Sequence, residues 1–123
     1  MTLALAVWKN RISPVFDSSH TLLLVDIKNG MVTNKRIVPL RAGLPLPRVK
    51  EVLNLGIQVL ICGAISSEFS SMFEAFGISV VPFVAGDADH VIESYLNNTL
   101  SGSNFKMPGC GNQRRRRRRG GYL

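Results

Sequence analysis

The sequence predicts one α/β domain built on a mixed five-stranded sheet with helices on both faces. In the second half of the chain, short apolar runs bounded by turn residues alternate with segments of helical periodicity, as in parallel strands joined by helices. In the first half, an Asn-Gly pair between two apolar runs indicates an antiparallel hairpin. The 123 residues, of which 46% are apolar, supply the core of one small domain.

Three strands are predicted in the first 40 residues. Residues 3–8 are apolar and end at the charged Lys9, which is typical of a strand buried on both faces. A polar loop with a proline leads to the second strand, residues 21–27, and Asn29-Gly30 turns the chain into the third. The third strand, residues 31–39, carries many polar side chains, which suits the edge of the sheet.

The remaining elements alternate between helix and strand. Two prolines at positions 45 and 47 begin the first helix, and Gly56 ends it. Either Ser66 or Ser67 caps the second helix, and Gly77 ends it. In chain order, these elements are helix 46–54, strand 57–62, helix 66–76, strand 78–83 and a helix within residues 86–100.

The order of the elements predicts a ligand site at one edge of the sheet. The first, fourth and fifth strands should be parallel, with the first between the second and the fourth, because right-handed helical crossovers join the later ones. Ligands of open α/β sheets bind at the carboxyl ends of such strands. We therefore expect a crevice between the loops that follow the first and fourth strands. The candidate residues in these loops are Lys9, Asn10, Arg11, Ser13, Cys62, Gly63, Ala64, Ile65 and Ser66.

A compact anion is the ligand that these residues favour. Helix amides near Ser66 point toward the crevice, and Lys9 and Arg11 add positive charge. A purely structural interpretation stays open for two of the candidates. Gly63 can serve close helix–sheet packing, and Cys62 can be a small buried apolar residue.

The net charge of +7 comes from the end of the chain. Residues 114–119 are six consecutive arginines, and without them nine basic residues stand against eight acidic ones. The body is thus nearly neutral and lacks the basic face of a nucleic-acid-binding domain. From Ser101 onward the composition changes to Gly, Ser, Asn and Arg, so we divide the chain into a domain, residues 1–100, and a flexible tail, residues 101–123.

Several classes of protein are disfavoured by composition. No apolar run approaches the roughly 20 residues of a membrane-spanning helix, and the first residues lack a basic region and a cleavage site of the secretory type. Two cysteines are too few for a disulfide scaffold. A cytoplasmic protein without membrane association is the expectation.

Cys110 and His20 are candidate metal ligands. Cys110 lies between glycines just before the arginines, and nearby positive charge favours the thiolate, the form that binds metals. One cysteine would have to complete a site on the domain or one shared between two chains in a homodimer. His20 and His90 also suit surface or capping roles, and no His/Cys spacing matches a zinc site.

Four segments together carry a resemblance to a known family. They are ISPVFDSSHTLLLVDIKNG, LGIQVLICGAIS, FGISVV and AGDADHVIESYLNNTL. In this order they resemble the dinitrogenase iron–molybdenum cofactor biosynthesis domain, which is similar to NifX, NafY and the C-terminal part of NifB. The resemblance covers roughly residues 1–100. It implies a ribonuclease-H-like fold and a non-catalytic role in carrying or protecting a metal–sulfur cluster that contains molybdenum with iron or copper.

The resemblance also implies how such a cluster is held. Family members often have His-Phe-Gly where this chain has Val15-Phe16-Asp17, and that histidine is a cofactor ligand candidate. Valine cannot coordinate a metal, so the resemblance here implies binding by charge and hydrogen bonds, as in the orange proteins with a molybdenum–copper sulfide cluster. His20 is an expected substitute ligand.

Two other functions compete with a cluster carrier. The arginine run could bind nucleic acid or an acidic protein partner, with an affinity that falls steeply with salt. A nuclease of ribonuclease-H-like architecture requires clustered carboxylates on its central strands. The first strand has none, and Asp26 stands alone at the end of the second, which disfavours that activity.

Overall fold

In the computed structural model, which describes residues 1–40 and 44–97, the chain forms one sheet flanked by three helices. The strands are β1 (Thr2–Trp8), β2 (Arg11–Ile12), β3 (Thr21–Lys28), β4 (Met31–Pro39), β5 (Val59–Ile61) and β6 (Ser79–Val81). The helices are α1 (Pro45–Leu53), α2 (Ser67–Ala75) and α3 (Ala88–Leu96), and a 3₁₀ turn covers Phe16–Ser18. The predicted tail and Cys110 lie outside the described residues.

The strands are arranged in the order β4-β3-β1-β5-β6. β1 is antiparallel to β3 and parallel to β5, and β6 continues the parallel part of the sheet. Among the described strands, β4 pairs only with β3 and forms the antiparallel edge. The predicted mixed α/β fold, with the first strand at its centre, is therefore confirmed.

The short strand β2, which brings the number of strands in the sheet to six, was not predicted. Lys9 and Asn10 have φ angles of 51° and 64°, so they form a two-residue turn that folds β2 back on the end of β1. Lys-Asn lacks the glycine that usually marks such turns. The predicted hairpin between β3 and β4 has the same geometry, with φ angles of 55° at Asn29 and 75° at Gly30.

Side chains alternate along β1 between two cores. Ala4 and Ala6 face the core covered by α1 and α2, whereas Leu3 and Leu5 face the core under α3. All four side chains are completely buried. Since burying a leucine stabilises a fold by roughly 2 kcal/mol, β1 is a firm base for the turn and loop that follow it.

The N-termini of α2 and α3 have hydrogen-bonded side-chain caps. Of the two predicted serines, Ser66 is the N-cap of α2, because its side chain accepts a hydrogen bond from the N–H of Phe69. Asp87 caps α3 in the same way. No helix in the described part of the chain is long and apolar enough to cross a membrane.

Candidate functional site

The nine candidate loop residues all lie at the carboxyl edge of the parallel strands. The first four belong to the turn between β1 and β2, to β2 itself and to the residue just after it. The other five follow β5 directly and lead into α2. A third loop, residues 82–87, follows β6 at the same edge, since the N–H of Ile12 donates to the carbonyl of Gly86 at 2.9 Å. The topology therefore brings both predicted loops together.

The space between the two loops is filled by the chain itself. The N–H of Ala64 donates to the carbonyl of Pro14 at 2.8 Å, and the N–H of Phe16 donates to the carbonyl of Ala64 at 2.7 Å. These bonds pair Val15 with Ala64 in the manner of parallel strands. The expectation of an open crevice between the ends of β1 and β5 is thus wrong, and a ligand at this edge would rest on a closed surface.

Gly63 permits this close approach. A Cβ atom at this position would lie 2.4 Å from the carbonyl oxygen of Pro14 and 2.5 Å from that of Ser13. Such distances are far below van der Waals contact, so only glycine fits. Of the two roles considered for Gly63, close packing is the one that the geometry supports.

Cys62 and Ser13 lie beneath the surface. Cys62 is completely buried in the core under α1 and α2, and burial raises the pKa of its thiol to about 12, with a smaller contribution from Asp17. The thiol therefore stays protonated at neutral pH, which is unfavourable for metal coordination. The hydroxyl of Ser13 donates to the nearby carbonyl of Val15. Neither side chain is exposed at this edge.

The first amide of the α2 N-terminus is already bonded within the protein. The N–H of Ser66 donates to a carboxylate oxygen of Asp17 at 3.0 Å. Asp17 thus takes the place that the sequence analysis gave to an anionic ligand. The carboxylate is favoured there because the helix dipole is positive at this end.

A buried arginine that the sequence analysis missed holds the 3₁₀ turn. Arg48 is only 3% exposed, and its Nη2 donates to the carbonyl of Phe16 at 2.9 Å and to that of Ser19. Its guanidinium carbon lies 5.1 Å from the centre of the Phe16 ring. Burial lowers the pKa of Arg48, and the carboxylates of Asp17 and Glu51 oppose that shift. Arg48 lies one helical turn before the buried Val52, and this spacing in the sequence indicates that both residues are on the same face of α1.

Lys9, Asn10 and Arg11 form an exposed cationic turn at this edge. The ammonium group of Lys9 lies 4.7 Å from the centre of the Trp8 ring. The carbonyl of Asn10 accepts a hydrogen bond from the N–H of Ala88 at the start of α3, at 2.9 Å. The cationic turn is therefore fixed both to β1 and to α3.

Asp87 and Asp89 lie next to the cationic turn and already have partners, which for Asp89 include the side chain of Asn10. Asp87 accepts the N–H of residue 90 as the cap of α3, and Asp89 forms an ion pair with Lys35 at 3.0 Å. The hydrogen bond from Lys35 is the main reason why the pKa of Asp89 is lowered. Within residues 1–40 and 44–97, neither cation of the turn forms an ion pair. Positive charge at this edge is thus free to attract an anion.

Two exposed apolar side chains lie beside the paired loops. Val15 is 41% exposed and Phe83 is 43% exposed. Val15 is paired with Ala64, and the N–H of Phe83 donates to the carbonyl of Gly63 at 2.9 Å, so both flank the same short stretch of chain. Ile65, in that stretch, is half-buried. Phe83 was missed because it continues the apolar run of β6.

His20 lies on the antiparallel side of this edge, because the start of β3 pairs with the end of β1. It is exposed at the start of β3, and its carbonyl accepts the N–H of Leu40, so it lies toward the antiparallel side of the sheet. Among the described residues, no three His, Cys, Asp or Glu side chains are grouped so that they could hold a metal ion. The assignments of His20 and Cys110 as metal ligands stay predictions.

Comparison with known proteins identifies the family. The profile described as "Dinitrogenase iron-molybdenum cofactor" matches residues 1–98. MJ0580, an uncharacterized protein of Methanocaldococcus jannaschii, is 29% identical over 105 residues, which cover 81% of this chain and 89% of that protein. The crystal structure of PH0822 has a TM-score of 0.75 at 24% identity and covers 80% of this chain and 92% of its own. MJ0327 of M. jannaschii has a TM-score of 0.69 at 22% identity, with 82% and 92% covered. By the match over residues 1–98, the chain belongs to the dinitrogenase iron–molybdenum cofactor family.

Proposed function

We propose that this domain binds and carries an anionic metal–sulfur cluster at the carboxyl edge of its sheet and has no catalytic activity of its own. The observation that carries the proposal is the exposed cationic turn, in a family associated with the iron–molybdenum cofactor. The cluster is cargo in this proposal. It contains molybdenum with either iron or copper.

The side chains at this edge suit binding through charge better than coordination. The described residues offer no group of three metal-ligating side chains, whereas Lys9, Asn10 and Arg11 offer donors and positive charge for the sulfides of a cluster. The backbone hydrogen bonds that fix the turn to β1 and α3 hold the backbone of these residues in place before binding, which reduces the backbone entropy lost on binding.

The other candidate residues divide into two roles. Ala64, Ile65 and Ser66 are partly or fully exposed beside Val15, so they can contact the cargo. Ser13, Cys62 and Gly63 are buried and act by fixing the surface on which the cargo rests. This division gives each predicted residue a place without requiring the thiol of Cys62 to ionise.

A matched pair of charge variants tests the proposal. Tetrathiomolybdate would be added with copper(I), and in a separate arm with iron(II), to anaerobic protein while visible charge-transfer bands are recorded. Changing Lys9 and Arg11 together to glutamine should weaken binding about 5- to 30-fold, since two exposed charge interactions contribute roughly 0.5–1 kcal/mol each.

The control is the double change of Lys28 and Arg36 to glutamine, which removes the same charge away from the cationic turn. It should bind like the wild type. Equally weakened cluster binding in both variants would show that binding depends only on the net charge of the protein and not on the cationic turn. A wild-type protein that retains no metal from any of several metal and sulfide mixtures would end the proposal.

Cys110 is proposed as an additional ligand for the cargo. Replacing it with serine should then lower metal retention about tenfold, in line with the loss of a supporting partner at a metal site. Metal content after gel filtration measures the effect. Unchanged retention would leave the end of the chain as a charged appendage with no part in the site.

A further inference from the structure

The backbone of Phe83 has an unusual conformation. Its φ angle is 61°, in a region that bulky side chains rarely adopt. In the described residues, the other non-glycine positive φ angles all belong to two-residue hairpin turns, at Lys9, Asn10 and Asn29. Phe83 thus holds a strained conformation outside any such turn, and strain of this kind is concentrated at functional positions.

Two hydrogen bonds impose this conformation. The N–H of Phe83 donates to the carbonyl of Gly63 at 2.9 Å, and the N–H of Val84 donates to the carbonyl of Cys62 at 3.0 Å. Val84 is buried under α3, whereas the ring of Phe83 remains 43% exposed. Glycine would adopt the same backbone angle without strain. Core packing therefore explains only in part why residue 83 is a phenylalanine rather than a glycine.

The ring of Phe83 and the cationic turn belong to the same edge of the sheet. Phe83 bonds to Gly63, and Val15 pairs with the next residue, Ala64, so the two exposed side chains border one strip of surface. The same loop reaches the turn four residues later, where Asp87 pairs with Arg11. Apolar side chains beside a site of positive charge exclude water, which strengthens the attraction between the charges and an anion.

We propose that Phe83 and Val15 form an apolar wall against which the cargo rests, and that Phe83 is a binding residue whose strained backbone presents its ring. This inference rests on the function proposed above. The wall contacts the sulfide surface of the cluster through the edge of the Phe83 ring, because the edge of an aromatic ring is electropositive and attracts negatively charged sulfur. It also shields the cluster from water on the side away from the cationic turn.

Phenylalanine variants separate binding from stability. Phe83→Ala and Phe83→Gly should each bind tetrathiomolybdate with copper(I) about 5- to 10-fold more weakly than the wild type, because both remove the ring. Phe83→Gly should nevertheless resist urea better than Phe83→Ala, since glycine relieves the strain. Phe83→Leu removes the ring but preserves an apolar side chain, so its affinity should lie between those of the wild type and Phe83→Ala.

Phe76→Ala is the matched control. Phe76 is 51% exposed at the end of α2, with an unstrained φ angle of −93°. Its variant should bind like the wild type. The inference is overturned if the Phe83 variants bind as tightly as the wild type, or if Phe76→Ala loses as much affinity. A wild-type protein that binds no cluster would instead refute the proposed function, and the stability difference between the glycine and alanine variants would still decide whether the strain exists.

Discussion

Replacing Gly63 with alanine should lower the free energy of unfolding by about 3 kcal/mol or more. The new Cβ atom would lie 2.4 and 2.5 Å from two backbone carbonyl oxygens, those of Pro14 and Ser13. Overpacking of a closed interior costs roughly 1–3 kcal/mol. Relieving the clash would also break the hydrogen bonds between residues 14–16 and Ala64, each worth about 1 kcal/mol. Urea denaturation followed by circular dichroism measures the change.

Gly77→Ala is the control for that experiment. Gly77 has a φ angle of 88° but no atom within 4 Å of the position of a Cβ, so alanine there meets only backbone strain, about 1–2 kcal/mol. Gly63→Ala should be clearly the more damaging. If the two variants lose equal stability, the close packing of the loop after β5 on the Ser13-Pro14 backbone does not limit this position.

Replacing Arg48 with alanine should destabilise the protein by about 3–5 kcal/mol. The change removes the donor that two carbonyls, those of Phe16 and Ser19, share in a buried place. Leaving a buried carbonyl without its donor typically costs about 1–3 kcal/mol, which applies most to Ser19, because the carbonyl of Phe16 keeps the N–H of Ser19 as a donor. The loss of the side chain's volume against the rings of Phe16 and Phe69 adds to it.

Arg48→Met separates these contributions. Methionine fills much of the same volume without donating hydrogen bonds, so it should recover only the packing part of the loss. Amide hydrogen exchange at Phe16 and Ser19 should then show faster opening in Arg48→Met than in the wild type. A methionine variant as stable and as protected as the wild type would mean that the arginine's bonds only offset the cost of burying its charge.

The fold could be predicted because its signals are local. Apolar runs, the Asn29-Gly30 turn and the glycines after two of the helices each depend on a few neighbouring residues, and the predicted order of the main elements is confirmed. The short β2 could not be predicted in the same way. Its turn uses Lys9-Asn10, where only the tertiary setting enforces positive φ angles on both residues.

The position of the two candidate loops on the sheet could be predicted, but the contact between them could not. The topology rule placed both loops at the carboxyl edge. The pairing of Val15 with Ala64 has no periodic pattern in the sequence, because it joins two irregular segments. The role of Asp17 at the start of α2 and that of Arg48 in the core also depend on contacts between distant residues, so neither follows from a local motif.

The pairing across the carboxyl edge determines when the surface can exist during synthesis of the chain. The bond from Arg48 to Phe16 joins residues 32 apart, and the bond from Ser66 to Asp17 joins residues 49 apart. Contacts over such separations form late, since the entropy of closing the loop is lost first. A ribosome must therefore have released the start of α2 before these bonds form, and the start of α3 before Ala88 bonds to Asn10. Loading of the proposed cargo would accordingly follow synthesis of nearly the whole domain.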